Sequence, residues 1–484
     1  MSLRKKATPG LKRRPPTRPA DPFSRESDRS RRIPTMTAPN AADTQTFLDA
    51  YAERGKVDGP EWLASYQEES MKLFRAAGLP LPGSEEWKYT NLAGLRKREF
   101  ALAGAQPQQI TSTDLSELLI CDPDGFLAVF VNGVFSAEHS RLPEAGSGIQ
   151  VEPLSAAIEN GSPGVEELVA SGKTFGFESF ADLNSALFHS GAWIHVTRGA
   201  EITEPLYLLH ISDSPDGSLM THPRNVVSLE EGARLTLIED YLGLGDSAYL
   251  SNPFTHFQIA DNAGAVHYRL VREGEGSFHV SNLGVRQAGH SSFTSHSFCF
   301  SGGVVRNDVA AFLEGEGVEC TLNGLTVGRG EEHVDNHTRI IHSQPNCNSW
   351  EMYKAVLAEK AHGVFNGKIY VAQDAQKTDA KQSNQALLLS DTAVMDSKPE
   401  LEIYADDVKC THGATVGQLN EDGLFYLRSR GIGKEAARVL LVYAFASDLV
   451  SGIEHPGLKA GVEALLFEKL PGDCEPAGVT VGAT

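Results

Sequence analysis

No apolar run in the 484 residues is long enough to cross a membrane as a helix, which excludes an ordinary spanning segment. The six cysteines (Cys121, Cys299, Cys320, Cys347, Cys410, Cys474) are scattered, and none stands in C-x-x-C spacing. That excludes a disulfide framework and a zinc-finger ligand set. A reducing compartment is therefore expected, the cytoplasm ahead of a plastid. A complete phosphate loop is missing too. Ser171-Gly-Lys-Thr174 has the tail of one, but Glu167 stands where the leading glycine belongs. Gly433-Lys434 is followed by Glu435 rather than Ser or Thr. Neither stretch can cradle phosphate on freed backbone N–H groups, so ATP hydrolysis by this chain is not expected. No G-x-S-x-G elbow, H-E-x-x-H helix or dinucleotide fingerprint occurs.

Positive charge is scarce and unevenly placed. The chain carries a net charge of −20, yet residues 1–35 hold eleven basic side chains against three acidic ones, so the body is more acidic still. An acidic body argues against nucleic acid as a partner. The Pro-, Arg- and Ser-rich head, 1–35, is expected to be disordered. It lacks an apolar signal-peptide core, and its acidic residues do not suit a transit peptide. A nucleic-acid arm is a third reading. The preferred one is an upstream-start artefact, with Met36 opening the protein proper.

What is present is β texture between two helical regions. Residues 36–120 read as an N-terminal helical region. Asp43 or Thr44 suits the cap of a first helix, and Pro60 opens a second with Leu63, Tyr66, Ser70 and Phe74 at helical spacing. Phe126–Val131 reads as a buried strand turning at Asn132-Gly133, and residues 144–172 as a connection with one short helix. Within 121–419, and most clearly over 193–410, Thr, Val, Ile, Phe and His alternate with polar residues. Gly199, Gly232 and Gly264 recur at intervals of about thirty residues, and Gly317 echoes them. A β-solenoid suits this pattern, with a jelly roll or sandwich as the rival. From 420 to 484 the period returns to that of helices. Asn420 caps the first and Gly431 closes it, a nearly all-apolar second runs from about Lys434 to Val450, and a third carries Leu458, Val462 and Leu466.

Two constellations have chemical potential. Cys410 and His412 stand two apart, so on a strand both side chains share a face while Thr411 takes the other. Thiolate and imidazole both ligate iron, and an imidazole can lower a thiol's pKa. The bland alternative is a small hydrophobe beside a satisfied core histidine. His333, Asp335 and His337 likewise share a face, with His342 close behind. They could hold a divalent metal in a cupin-like enzyme, or form a polar ladder over successive coils. Arg428, Arg430, Lys434 and Arg438 make a basic strip on the C-terminal helices, read either as a docking face or as a solvated one.

The run DVKCTHGATVGQLNEDGLFYLRSRGI, residues 407–432, resembles the C-terminal signature of the SufB/SufD family, subunits of the SUF iron–sulfur cluster assembly machine. Gly413 stands where SufB typically has an acidic residue, so the variant is similar to the SufD side of that family. EEWKYTNL (85–92), HVDNHTRIIHSQPNCNS (333–349), GVFNGKIY (363–370) and DAQKTDAKQSN (374–384) extend the resemblance over roughly 80–470. It implies a mainly β fold, a right-handed parallel β-helix flanked by N- and C-terminal helical regions. It also implies a non-enzymatic scaffold that pairs with a SufB-like sister subunit and docks a SufC-like ABC-type ATPase through its C-terminal helices. An iron–sulfur cluster would be held transiently at the SufB interface, near Cys410 and His412. No metal is expected on this chain alone, and no membrane partner. Asn384 falls near a cluster-building cysteine of SufB, so the primary sulfur acceptor is expected on that partner. A homodimer of the isolated chain is the further alternative.

Overall fold

The computed structural model describes residues 41–55, 59–104, 112–122, 125–214 and 217–470. The basic head and Cys474 lie outside the described residues. The alternation read in the sequence becomes a stack of strands, most of them ten residues long from Phe278–Gln287 to Lys409–Gln418. They fall into a 12-stranded and a 10-stranded sheet, and from Phe254–Ile259 onward each strand pairs with the one two places further along the chain. Among the described residues every pairing from Leu206 onward is parallel; antiparallel ladders occur at Phe126–Val131 with Val134–Phe135 and at Ile149–Pro153 with Ala192–Val196, beside one isolated antiparallel bridge between Leu127 and Arg141. Parallel pairing at every coil rules out the jelly roll, whose strands run antiparallel. The fold is a β-solenoid.

Coil length shows in the side chains. Hydrogen bonds join residues 28, 29, 30 and 31 positions apart, for instance His267 to Ser295, Arg306 to Asp335, Asn346 to Glu316 and Gln382 to Glu351. One corner repeats in each coil. Gly232, Asn262, His290, Gly317, Asn346 and Lys377 all stand two residues before a strand with φ between +54° and +74°. Each donates its backbone N–H to the corner above, as Asn262 does to Gly289 O at 2.9 Å and His290 to Glu316 O at 2.8 Å. Left-handed backbone favours glycine and tolerates asparagine. The glycine count therefore caught two of the six corners. Gly264 is not one of them: it opens a strand, and Asn262 makes that turn.

Both sheets are covered on their outer faces, which is why runs such as Phe126–Val131 are apolar on both sides. Ala128 and Phe130 face the lumen; Leu127, Val129 and Val131 join the cluster under the C-terminal helices. The N-terminal helices cover the other sheet. Helix Glu61–Ala77 buries Leu63, Tyr66, Ser70 and Phe74, the positions its spacing marked, and ends at Gly78 with φ 69°. Asp43 and Thr44 sit inside helix Ala41–Glu53, one residue or more past its start, so neither is its cap; Asp43 instead pairs with Arg96 at 2.7 Å. The stretch read as a connection holds two helices, Leu154–Asn160 and Val165–Ser171.

Three helices close the described chain, Glu421–Ser429, Lys434–Ser451 and Pro456–Lys469. Asn420 Oδ1 accepts from Gly423 N at 3.0 Å, and Gly431 takes φ 88° just past the first helix, as expected. The second helix is buried on one face, through Ala437, Val439, Val442, Ala446 and Leu449, and not on most sides; Leu440 is exposed. Lys354, on a solenoid strand, donates to Phe445 O at 2.8 Å and meets Asp448 at 2.7 Å, pinning that helix to the sheet. Among the described residues no helix is long and apolar enough to cross a membrane.

Candidate functional site

Cys410 and His412 lie on Lys409–Gln418, the last strand of the ten-stranded sheet, which pairs with Asp379–Leu388 on one side. Cys410 stands opposite Ala380 and His412 opposite Gln382, and both partners are buried lumen-facing residues. The pleat therefore turns thiol and imidazole toward the lumen, and Thr411 outward beside Lys381. No further coil is described above them. Every residue of the strand is exposed except Cys410, which is half-buried. Val394–Ile403 ends the other sheet in the same way, and Val394, Ile403, Tyr404 and Val416 are exposed apolar side chains around this end. An unpaired strand edge offers a row of free N–H and C=O groups to another strand.

The thiol itself is not activated in the isolated chain. Cys410 packs against Ile369, Val371, Ala380 and Ala405. Burial pushes it up and Asp379 adds to that, with only a backbone hydrogen bond at Ala380 opposing. The lowering that an adjacent imidazole can produce is thus not realised here. Among the described residues no three His, Cys, Asp or Glu side chains gather as a metal-holding group. Cys410 and His412 can supply two soft-to-borderline ligands, and any complete iron site needs more.

His333, Asp335 and His337 also share a face, but it is the outer one, and the N-terminal segment covers it. Arg306 donates to Asp335 Oδ2 at 2.8 Å and to Glu86 O at 2.6 Å, binds Asp308 through its other nitrogens, and lies 4.1 Å from the Trp87 ring. The one proton of Thr90 Oγ1 goes to Asp335, so His333 Nε2, 2.8 Å away, donates to Thr90. His337 sits 3.0 Å from Asp335 and 3.6 Å from Glu86. Burial disfavours its charge, but Asp335 and Glu86 outweigh burial and push it up to about 9. Burial holds His333 down at about 4. For Asp335, burial is likewise outweighed by Arg306 and His337, and its carboxyl is held well below the usual range. The ladder thus spends its polar atoms on clamping EEWKYT to the solenoid. Trp87 packs on Phe180 with centroids 5.4 Å apart, as a packing residue should. Sequence spacing alone missed Arg306 and Thr90. Arg306 lies one coil before Asp335, so the coil period would have found it; nothing local marks Thr90.

On the C-terminal helices Arg428, Arg430 and Lys434 are exposed and Arg438 is half-buried. Phe425 and Tyr426 lie among them at 75% and 57% exposure, and the Arg430 guanidinium rests 5.2 Å from the Tyr426 ring. Sequence reading found the charges and overlooked these aromatics. An exposed aromatic pair with an arginine resting on one ring has the composition of a protein interface.

Comparison with known proteins agrees with this architecture. The family described as "SUF system FeS cluster assembly, SufBD core domain" matches residues 210–445, and "SufBD protein N-terminal region" matches 42–208. The iron–sulfur cluster assembly protein SufD of Escherichia coli is 35% identical over 421 residues, covering 86% of this chain and 95% of that protein. A SufBD family protein of Synechocystis is 29% identical over 416 residues, 84% and 91% of the two chains. A chloroplastic protein of Arabidopsis thaliana, ABCI7, is 27% identical over 408 residues, 80% and 82%. From its paired family matches and its near full-length likeness to SufD, the chain belongs to the SufBD family of the SUF system, which supports a role in iron–sulfur cluster assembly.

Proposed function

We propose that this chain is a SufD-like scaffold, without catalysis of its own, in a complex with a SufB-like subunit and a SufC-like ATPase. The observation that carries the reading is the unpaired terminal strand with Cys410 and His412 on its lumen side. A sister solenoid adding to that edge would satisfy its backbone groups and bring further ligands to two that cannot hold a cluster alone. The cluster is then cargo, formed at the junction and passed on, with the primary sulfur acceptor on the SufB side. Phe425, Tyr426, Arg428, Arg430, Lys434 and Arg438 form the ATPase-docking face. Lys354 ties the following helix to the strand adjoining Asp379–Leu388, so force on the helices has a short route to the edge. Cys299, Cys320, Cys347 and Cys410 are free thiols, in keeping with a reducing cytoplasm. In isolation the same edge would serve a homodimer.

The test is native mass after co-expression with SufB- and SufC-like subunits from the same cell, followed by cluster content of the purified complex. A three-component complex whose cluster content falls at least tenfold in His412→Ala is the expected result. A chain that stays apart from both subunits, or a His412→Ala complex with full cluster content, refutes the reading.

A further inference from the structure

A polar column of the lumen ends beneath His412. In successive coils Glu351 pairs with Gln382 and Gln382 with His412, so the three side chains occupy one inward column on strands about 4.8 Å apart. Gln382 Nε2 donates to Glu351 Oε2 at 2.6 Å. The opposite wall is cut away to admit this amide: residue 367 is glycine, and a Cβ there would collide with the Gln382 amide and with the Phe365 ring. Gln382 is 3% exposed, and its Oε1 is buried with no hydrogen-bond partner among the described residues. Such a buried acceptor costs about 1–3 kcal/mol unless something donates to it. The next rung of its column is His412, whose ring carries an N–H.

We infer that Gln382 is a positioning residue for His412, its unpaired Oε1 set to accept the imidazole N–H once the ring turns down onto it, while Glu351 anchors the amide from the coil below. That bond fixes the tautomer and leaves the other ring nitrogen, with its lone pair, for a metal. Ligating histidines commonly have their second nitrogen held in this way. The inference rests on the proposed role of His412, but its test needs no cluster.

The full-length chain is labelled with ¹⁵N at histidine, and the His412 ring signal is assigned by its loss in His412→Ala. A ring N–H protected from exchange with water is expected, and it should disappear in Gln382→Met, which keeps the volume and removes the carbonyl. Glu351→Met, which removes only the anchor, should weaken the same signal, and it supplies the result if Gln382→Met does not fold. No protected His412 N–H in the wild type, or one that survives both substitutions, overturns the inference. A protected N–H in a chain whose His412→Ala complex assembles clusters normally would refute the proposed function and leave this inference standing.

Discussion

Two strands of one solenoid carry ligand-type side chains at alternate positions, His333, Asp335 and His337 on one and Cys410 and His412 on the other, and put their histidines to opposite ends. On His333–His342 the outward column is roofed by the N-terminal segment; Thr90, Glu86 and Asp335 engage the two imidazoles, and Arg306 holds Asp335. On Lys409–Gln418 the inward column has no coil above it, and His412 is exposed at the rim. The side-chain chemistry is nearly the same. Place in the stack differs, and place decides which histidine is structural glue and which is left available to a partner.

The sharpest way to break that comparison is Asp335→Ala. It leaves Arg306 buried with one carboxylate fewer and His337 without its main partner. A loss of roughly 3–5 kcal/mol in denaturant unfolding is expected. A loss below about 1 kcal/mol would mean the ladder is no clamp.

The pH dependence is the next largest effect. His337 is raised from 6.5 to about 9, so its contribution is complete below pH 6.5 and disappears as pH rises through 9. Stability should fall by roughly 2–3 kcal/mol across that window, and His337→Gln should flatten the curve. Glu351 adds a comparable trend of the same sign at lower pH. Burial pushes it up to about 7, so its burial is increasingly costly from pH 4.5 to 7, and Glu351→Gln should be more stable than wild type at pH 8.

Phe425→Ala probes the docking face. Truncating an exposed anchor at an interface costs about 2 kcal/mol, or roughly thirtyfold in affinity for the ATPase, measured by titration of the two purified proteins. Unfolding of the isolated chain should not change. The smallest effect completes the contrast: His412→Ala should cost the isolated chain no more than about 1 kcal/mol, the net worth of one hydrogen bond to Gln382 at an exposed rim. A large loss there would make His412 another structural histidine.

Much of this was legible from residues alone. The alternation over 193–410, the buried run at 126–131, the Asn420 cap and the Gly431 stop are local signals, and each formed where its chemistry required. The period of a strand alone puts Cys410 and His412 on one face. Other readings failed because their information is not local. Glycines alone gave an incomplete set of corners, since Asn262, His290, Asn346 and Lys377 adopt the same left-handed turn once the coil above supplies its carbonyl. The helix Lys434–Ser451 looked buried all round, because an apolar run cannot say which of its faces a partner will take.

By itself the sequence determined the repeating strand texture, the switch to helix after Gln418, and the pairing of a thiol with an imidazole. These follow from backbone sterics and from the period of side chains along one strand. Tertiary structure alone decided which wall each column faces, and that Thr90 would close over the ladder from 245 residues away from Asp335. It also decided that the Lys409–Gln418 edge would be left open. Those outcomes depend on coil register and on which surfaces are covered, and neither quantity is carried by any short stretch of chain.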